Sequence, residues 1–449
     1  MKKFIILILC LVLTVNTIIS AGAAFTSSLD VDSNIAYMIS ADSDATVIYN
    51  KSGDLRCDPG ELTKIVTAII TIENCEDLKA LVTASSEAIR SIEHLRITTA
   101  GILSGEIMTV EELLYCLLVY NANDAAVVLA EYIGGSVESF VLMMNDYCKD
   151  LGLENTKFSN PGGYQDGTEQ YSTASDIANI YNKCINNAVF SEIISTFLYE
   201  IPATNRYKET RYLKNTNNLI NSAISDYYFK YVKSGKSGYL SDGNANCVSF
   251  ASKDGYNYIC VVMDAPIMDY DNDNVDENMA FVSSKQLYSW VFENIKLRTV
   301  ANTSTYVGEV SVRLSDEYDY VSLVPAENVN ALVPSGVNAE GVLIEPKKDG
   351  YPQEVDAPVK KGDLLGRAEI KYVGEVIAEV DLVAAFDVSV STSKFIGDKI
   401  LKIISHPVFI IIFAVIILIA LALCFISYRN KQIKRRRSRN NYSNNREKR

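Results

Sequence analysis

The sequence of 449 residues predicts an α/β (α+β) domain with a central antiparallel sheet flanked by helices, followed by a small all-β domain and one transmembrane helix. Three patterns predict this order. β-like runs stand at both ends of residues 35–300 with amphipathic helices between them, short β-like runs fill residues 306–390, and residues 408–426 carry no charge. Strands from distant parts of the chain that enclose helices indicate one sheet completed by both ends.

The first domain, residues 30–300, begins with β-like runs 36–40 and 45–49 that flank a polar turn and predict a β-hairpin. Residues 62–72 are strongly apolar, with Leu62, Ile65 and Ile69 at helical spacing, which predicts a buried helix. The remaining elements are two helices over 110–130 separated near Tyr120, β-like runs 247–252 and 258–263, and a closing amphipathic helix over 281–294.

The second domain, residues 306–390, consists of short β-like runs broken by Gly, Pro and Asn, which is typical of a small all-β domain. The runs are 307–314, 320–325, 329–333, 341–346, 365–372 and 375–384. Residues 391–405 then form a membrane-proximal connector.

Both termini carry targeting patterns. Lys2 and Lys3, the apolar residues that follow and Ala21-Gly22-Ala23 predict a signal peptide over 1–23. The uncharged run within 406–428 is about 28 Å long as a helix, enough to span a bilayer. The tail 429–449 has ten Lys or Arg and one Glu, so it is expected in the cytoplasm with the body outside. Its arginine run adjoins the span, which favours contact with anionic lipid over nucleic acid.

Composition excludes several classes of function. The net charge is −13 although the tail is basic, so the body is strongly acidic and a nucleic-acid partner is not expected. His94 and His406 are the two histidines, too few for a Ser-His-Asp hydrolase in the body. Seven cysteines of the body, an odd number without close pairs, indicate neither a disulfide framework nor a zinc site.

An acidic run at Asp269–Asp273 raises the question of calcium. An EF-hand loop requires Gly at its sixth position and Glu at its twelfth, where this chain has Asn274 and Ala280. The run is therefore interpreted as a solvated loop, and neither a metal nor another cofactor is predicted.

Three segments carry a family resemblance: Pro59-Gly60-Glu61-Leu62-Thr63-Lys64, Tyr120-Asn121-Ala122-Asn123-Asp124, and Lys236-Ser237-Gly238-Tyr239. Together the chain resembles the low-molecular-mass penicillin-binding proteins, the serine D-alanyl-D-alanine carboxypeptidases of peptidase family S11, whose motifs are S-x-x-K, S-x-N and K-T-G. Further matching segments are 151–156, 171–176, 201–205, 215–217 and 323–327. The resemblance covers about residues 30–390 and implies a β-lactamase/transpeptidase-like fold for the first domain.

The resemblance also implies roles for the matching residues. In the family, the serine of the first motif attacks the carbonyl of the penultimate D-alanine, and the lysine, here Lys64, accepts its proton. The asparagine of the second motif, here Asn123, holds the substrate amide. The third motif, here Lys236, Ser237 and Gly238, binds the terminal carboxylate.

Two motif positions depart from this pattern. Glu61 stands at the nucleophile position and Asn121 at the serine of the second motif. A carboxylate cannot replace the attacking hydroxyl, and loss of a serine nucleophile costs on the order of 10⁶ in turnover. Glu61 also faces Lys64 at i,i+3, and pairing favours the protonated lysine, which is the wrong state for a base. Gly162 stands where a histidine usually follows the proline.

Each of these residues has a simpler interpretation. Lys64 can be half of a buried ion pair, and Asn123-Asp124 can be a helix cap. Lys233-Ser234-Gly235 duplicates the third motif, and the second copy is preferred because a tyrosine follows it, as in the family. Ser391-Thr392-Ser393-Lys394 is the one remaining S-x-x-K, and it is interpreted as coincidence because it lies far from the other motifs.

The sequence therefore predicts a membrane-anchored family member with impaired catalysis, which binds peptidoglycan stem peptide ending in D-Ala-D-Ala, a β-lactam without a covalent bond, or a partner in the wall. The first alternative is an active carboxypeptidase that removes the terminal D-alanine. In the second, the all-β domain and the anchor carry the function and the first domain is a spacer.

Overall fold

The computed structural model describes residues 29–42, 45–223, 226–337, 339–347 and 352–444, so the predicted signal peptide lies outside the described residues. The chain divides into two compact units. The first holds the described residues up to Val300 with Asn330–Leu343 and Ile370–Ala378, and the second holds Ala301–Val329, Ile344–Glu369 and the residues from Glu379 onward.

The strands up to residue 301, β1 to β12 in chain order, are Ile35–Ser40, Val47–Lys51, Leu81–Thr83, Ile107–Thr109, Leu198–Ile201, Arg211–Lys214, Val232–Tyr239, Ala245–Lys253, Tyr256–Ala265, Ile267–Met268, Glu277–Asn278 and Ile295–Ala301. The α-helices α1 to α8 are Lys64–Asn74, Ser86–Ile92, Val110–Val119, Asn123–Gly134, Val137–Asp150, Ala174–Ile185, Ala188–Ser195 and Met279–Asn294.

The central sheet has five antiparallel strands in the order β2-β1-β9-β8-β7. Its first two strands form the predicted hairpin, and β1 also pairs with β9, with Tyr37 opposite Val261. The predicted sheet built from both ends of the domain is thus confirmed. Strand β7 lies at one edge, where its outer side faces the loops that carry the motifs.

The predicted helix after Gly60 is also confirmed, and its sequence explains its burial. Every side chain of α1 from Lys64 to Thr71 is buried, because apolar residues surround the helix where it packs on α4, α5 and α6. Helices α3 and α4 are separated at Asn121, which has a left-handed backbone with φ of +66°. Asn tolerates this conformation better than most residues, so the chain turns there without a glycine.

Strands β13 to β19 are Gly308–Arg313, Tyr320–Pro325, Val329–Pro334, Leu343–Pro346, Glu354–Asp356, Leu364–Tyr372 and Glu375–Ala384. Six of these correspond to the predicted β-like runs, and Glu354–Asp356 is an additional short strand. Six of the seven strands form a sheet in the order β16-β18-β19-β14-β13-β17. The all-β prediction is confirmed for this sheet. Strand β15 instead pairs with β12. This pairing was not predicted, because an alternating pattern predicts a strand without indicating its neighbour.

Two helices follow, α9 over Thr392–Ser405 and α10 over Pro407–Asn444. Residues Pro407–Arg435 of α10 are long and apolar enough to cross a membrane, with a mean hydropathy of 3.5, and none of the most apolar part is buried. This helix is compatible with a membrane anchor, and it begins one residue after the start of the predicted span 406–428.

Candidate active site

The first motif lies on a tight turn. Residues Gly60–Thr63 form a 3₁₀ turn that leads directly into α1 at Lys64. Gly60 has φ of +50°, and a Cβ there would lie 2.6 Å from Leu240. The side-chain amide of Asn246 on β8 donates to the carbonyls of Asp58 and Pro59, each at 3.0 Å. The turn is thereby fixed to the central sheet, with Glu61 directed toward β7.

Glu61 and Lys64 form a buried pair. Glu61 Oε1 lies 3.9 Å from Lys64 Nζ, and the Lys64 side chain is fully buried while that of Glu61 is 17% exposed. Lys64 also donates to the carbonyl of Gly162 at 2.6 Å. Burial lowers the pKa of Lys64 to about 8, although Glu61 acts in the opposite direction. Glu61 therefore favours the protonated form of Lys64, as expected, but its effect on the pKa is smaller than that of burying the charged amine.

The conformation of the loop after Asn160 explains why glycine and not histidine stands at position 162. Asn160 Oδ1 accepts hydrogen bonds from the amides of Gly162, Gly163 and Tyr164 at 2.7 to 3.2 Å. A Cβ on Gly162 would overlap Asn123 Oδ1, and one on Gly163 would overlap the Gly60 carbonyl. In this conformation the loop has room for glycine alone at both positions, and the Gly162 carbonyl serves Lys64 instead.

The second motif contributes two amides. Asn121 Nδ2 donates to the Ser237 carbonyl at 2.8 Å and to Thr216 Oγ1 at 3.0 Å, which joins the helices to β7. Asn123 Nδ2 donates to the Thr98 carbonyl at 3.0 Å. Asn123 is the first residue of α4 and Ala122 is its N-cap, so capping does not explain Asn123.

The third motif lies on β7 beside Glu61. Lys236 is buried, and burial lowers its pKa to about 7, with the Glu61 charge opposing this and Lys64 adding to it. Ser237 Oγ donates to the Thr216 carbonyl at 3.0 Å. A Cβ on Gly238 would lie 2.6 Å from Glu61 Oε2, so the glycine lets the carboxylate lie against the strand. Lys233 of the alternative copy is exposed, and this placement agrees with the second copy.

Several buried polar atoms around Glu61 have no hydrogen-bond partner within the described part of the chain. They are Lys236 Nζ, Asn121 Oδ1, Asn123 Oδ1 and Thr63 Oγ1. Such atoms are uncommon in folded proteins and are usually satisfied by water or a ligand. Asn121 and Asn123 line a cleft above Glu61, so their unsatisfied oxygens mark a place where a polar molecule can bind.

A cleft of about 510 Å³ opens above Glu61. Its wall includes Asn121, Asn123, Ser237 and Gly238, while Lys64 and Lys236 lie behind it. The charged residues that line the cleft are Asp58, Glu61 and Arg96. Five of the seven predicted site residues thus line one space, and the other two, Lys64 and Lys236, lie beneath it.

Two other sequence features lie elsewhere. Ser391 caps α9 by accepting from the Lys394 amide at 3.3 Å, and Lys394 pairs with Asp316 at 3.0 Å, which gives this S-x-x-K a structural role in the second unit. The carboxylates of Asp269, Asp271 and Asp273 lie within 4.8 Å of one another. Asp269 accepts hydrogen bonds from the backbone amides of Asp273 and Asn274, so its carboxylate is used within the loop itself.

Three parts of the site were not predicted from the sequence. Thr216 accepts from both Asn121 and Ser237, Thr98 receives the Asn123 amide, and Arg96 lines the cleft. Thr216 belongs to the matching segment 215–217, which was the one available signal. Thr98 acts through its backbone carbonyl, so no side-chain pattern reveals it.

Comparison with known proteins gives the same assignment. Residues 22–267 match the family model described as D-alanyl-D-alanine carboxypeptidase, and residues 296–389 match that of the penicillin-binding protein 5 C-terminal domain. The D-alanyl-D-alanine carboxypeptidase DacF of Bacillus subtilis is 30% identical over 368 residues, which cover 81% of this chain and 87% of the relative. DacC of Escherichia coli is 27% identical over 352 residues, covering 75% and 80%.

Solved structures agree with these matches. Penicillin-binding protein 5 of Haemophilus influenzae aligns with a TM-score of 0.59 at 25% identity, covering 81% of this chain and all of the other. The carboxypeptidase DacD of Francisella tularensis has the same fold, with a TM-score of 0.62 at 21% identity over 81% and 95% of the two chains. From its motifs, its fold and these relatives, the chain belongs to the D-alanyl-D-alanine carboxypeptidase family of penicillin-binding proteins.

Proposed function

We propose that this protein is a catalytically impaired member of its family that binds peptidoglycan stem peptide, or a β-lactam, in the cleft above Glu61 without forming a covalent bond. Its body lies outside the cytoplasm, α10 holds it in the membrane, and its basic tail is cytoplasmic. The protein contributes recognition at the wall, and a protein partner there is compatible with the same cleft.

One observation carries the proposal: a carboxylate stands where the acyl group has to be held. Glu61 lies at the start of the buried helix, 3.9 Å from Lys64 and against Gly238 of the third motif. A carboxylate that attacked an amide would give a mixed anhydride, which is a poor intermediate for peptide cleavage. The arrangement of the motifs is kept while the reacting atom is lost.

The hydroxyls of Thr63 and Ser237, the residues next to the two motif lysines in sequence, are not placed to replace the serine. Thr63 Oγ1 is buried beneath the turn next to Gly163, outside the residues that line the cleft. Ser237 Oγ donates its proton to the Thr216 carbonyl, and the lysine next to it in sequence is buried behind Glu61. A nucleophile needs a base that accepts its proton, and neither hydroxyl has a hydrogen bond to Lys64.

A second candidate is an active carboxypeptidase, and one observation favours it. Burial lowers the pKa of Lys64 to about 8 and that of Lys236 to about 7, so a fraction of each amine is neutral at pH 7. Neutral amines are the form that a general base requires. This candidate still lacks a serine at the nucleophile position.

Labelling with a fluorescent penicillin separates the two candidates. Full-length protein in detergent is incubated with the penicillin, denatured and separated by gel electrophoresis, with Bacillus subtilis DacF as the positive control. We expect no covalent label, because Glu61 cannot form a stable ester. A labelled band with the mass of this chain would overturn the proposal and favour the active enzyme.

Binding is measured on the same preparation. Calorimetric titration with Nα,Nε-diacetyl-L-Lys-D-Ala-D-Ala is expected to give saturable binding, and incubation should release no D-alanine. The absence of both binding and release would refute the proposed role of this cleft, and the all-β domain and anchor would then be the better candidates for function.

A further inference from the structure

The Glu61 carboxylate occupies the place where the three motifs meet. Its Oε1 atom faces Lys64 Nζ at 3.9 Å, and Oε2 lies against the backbone of β7 at Gly238. Glu61 is also the main negative charge that acts on Lys236. The carboxylate thus pairs with Lys64 and lies on the strand that carries Lys236, whose Nζ has no hydrogen-bond partner among the described residues.

Neither lysine opens onto the cleft. Lys64 and Lys236 are buried, and neither belongs to the residues that line the cleft, whereas Glu61 does. A ligand carboxylate that reached the lysines would have to displace Glu61, and two carboxylates side by side repel each other strongly in a partly buried site. An incoming anion therefore meets a negative charge at the base of the cleft.

Arg96 offers a different position for that anion. It is the one Lys or Arg among the described residues that line the cleft, and its side chain is exposed at the rim. No ion pair or hydrogen bond of the described residues engages its guanidinium. The segment that carries it is held in place at Thr98, whose carbonyl accepts from the backbone and side-chain amides of Asn123. Guanidinium groups bind carboxylates with two parallel hydrogen bonds.

We infer that Glu61 acts as an internal carboxylate ligand of Lys64 and as a fixed negative charge beside the strand that carries Lys236, so that the carboxylate of a bound peptide is received by Arg96 at the rim of the cleft. The inference rests on the proposed function and names its specificity-determining residue. The bound peptide then lies with its anionic end away from the third motif, which leaves no carbonyl directed at the former catalytic position.

The first experiment compares two probes by calorimetry on full-length protein in detergent: Nα,Nε-diacetyl-L-Lys-D-Ala-D-Ala and its C-terminal amide. We expect the acid to bind about three- to tenfold more tightly, which is the range for one exposed charge contact. Arg96→Gln should remove this preference. Arg90→Gln, which changes an exposed arginine on α2 outside the cleft, should keep it.

The second experiment removes the internal ligand. Glu61→Gln keeps the shape of the side chain and removes its charge, so the acid peptide should gain about tenfold in affinity by reaching the lysines. The gain should be absent in the double variant Glu61→Gln/Lys236→Met. Glu93→Gln, an exposed change outside the cleft, should leave the affinity unchanged.

The outcomes separate this inference from the proposed function. Suppose that the wild type prefers the acid, that Arg96→Gln keeps this preference and that Lys236→Met abolishes it. The inference is then wrong, while the proposed function stands. Equal binding of acid and amide to the wild type also overturns it. If neither peptide binds the wild type, the proposed function fails, and the internal-ligand role is judged by Glu61→Gln alone, where a continued lack of binding refutes it.

Discussion

Two segments of this chain, 61–64 and 391–394, have a lysine at the spacing of the S-x-x-K motif, and they differ in the structure that surrounds them. At 61–64 the fold supplies the turn, the buried helix, the strand β7 and the cleft, but the first residue is a glutamate. At 391–394 the sequence keeps the serine, yet that serine caps a helix and its lysine pairs with an exposed aspartate. The comparison teaches that location in the fold, and not motif spacing alone, identifies the site.

The largest expected effect comes from restoring the serine where the fold supports it. Glu61→Ser combined with Asn121→Ser should produce covalent labelling by fluorescent penicillin, at least about a thousandfold above the wild-type rate, because a nucleophile regains its base and binding groups. Time courses of label on denaturing gels measure this. Glu93→Ser is the control. A double variant that binds penicillin reversibly yet never acquires label would show that the site has lost more than its hydroxyl groups.

The next prediction concerns the close approach that shapes the turn. Gly163→Ala should lower the free energy of unfolding by about 3 to 5 kcal/mol, because the new methyl group would overlap the Gly60 carbonyl in a left-handed backbone. Gly167→Ala is the control in the same loop, with φ of +86° and open space around it, and should cost about 1 kcal/mol. Urea unfolding measures both. Equal losses would mean that the loop moves to accommodate the methyl group.

A smaller effect is expected from the buried lysine. The pKa of Lys236 is about 7 in the folded protein and is 10.5 for an ordinary lysine. Between these values the unfolded chain binds more protons, so the stability of the wild type relative to Lys236→Met should rise with pH, by about 1 kcal/mol per unit between pH 7 and 9. Urea unfolding of both proteins across this range tests it. If the difference in stability between the two proteins does not change with pH, Lys236 Nζ has a partner that keeps its pKa near the ordinary value.

The smallest effect is expected at the second segment. Ser391→Ala should lower the stability of α9 by about 1 kcal/mol, because the helix loses its side-chain cap. Amide hydrogen exchange over 392–405 measures this. Penicillin labelling of the restored double variant should be the same with and without the change. Any loss of label would connect this serine to the cleft and contradict its structural role.

Much of the fold could be predicted because burial leaves a periodic pattern. The apolar spacing from Leu62 to Ile70 indicated the helix that carries Lys64, and the β-like runs around Cys247 and Cys260 indicated the central strands. The partner of Val329–Pro334 could not be predicted, because pairing depends on which strand lies nearby in space.

The site was predictable to the extent that motif residues carry it. Glu61, Lys64 and Lys236 could be named from spacing, and the structure brings them together. The balance of charge at Lys64 could not be foreseen, because desolvation depends on packing and outweighs the glutamate. The carbonyls of Gly162 and Thr98 left no pattern, since every residue has one.

The hydrogen bonds of Asn246 to the Asp58 and Pro59 carbonyls have a consequence for the speed of recognition. They hold the turn on a central strand, so an arriving molecule cannot be admitted by a slow movement of the backbone there. An exposed side chain at the rim, such as that of Arg96, rotates within picoseconds to nanoseconds. Association should therefore be a single fast phase, at about 10⁵ to 10⁷ M⁻¹s⁻¹, without a lag for loop opening.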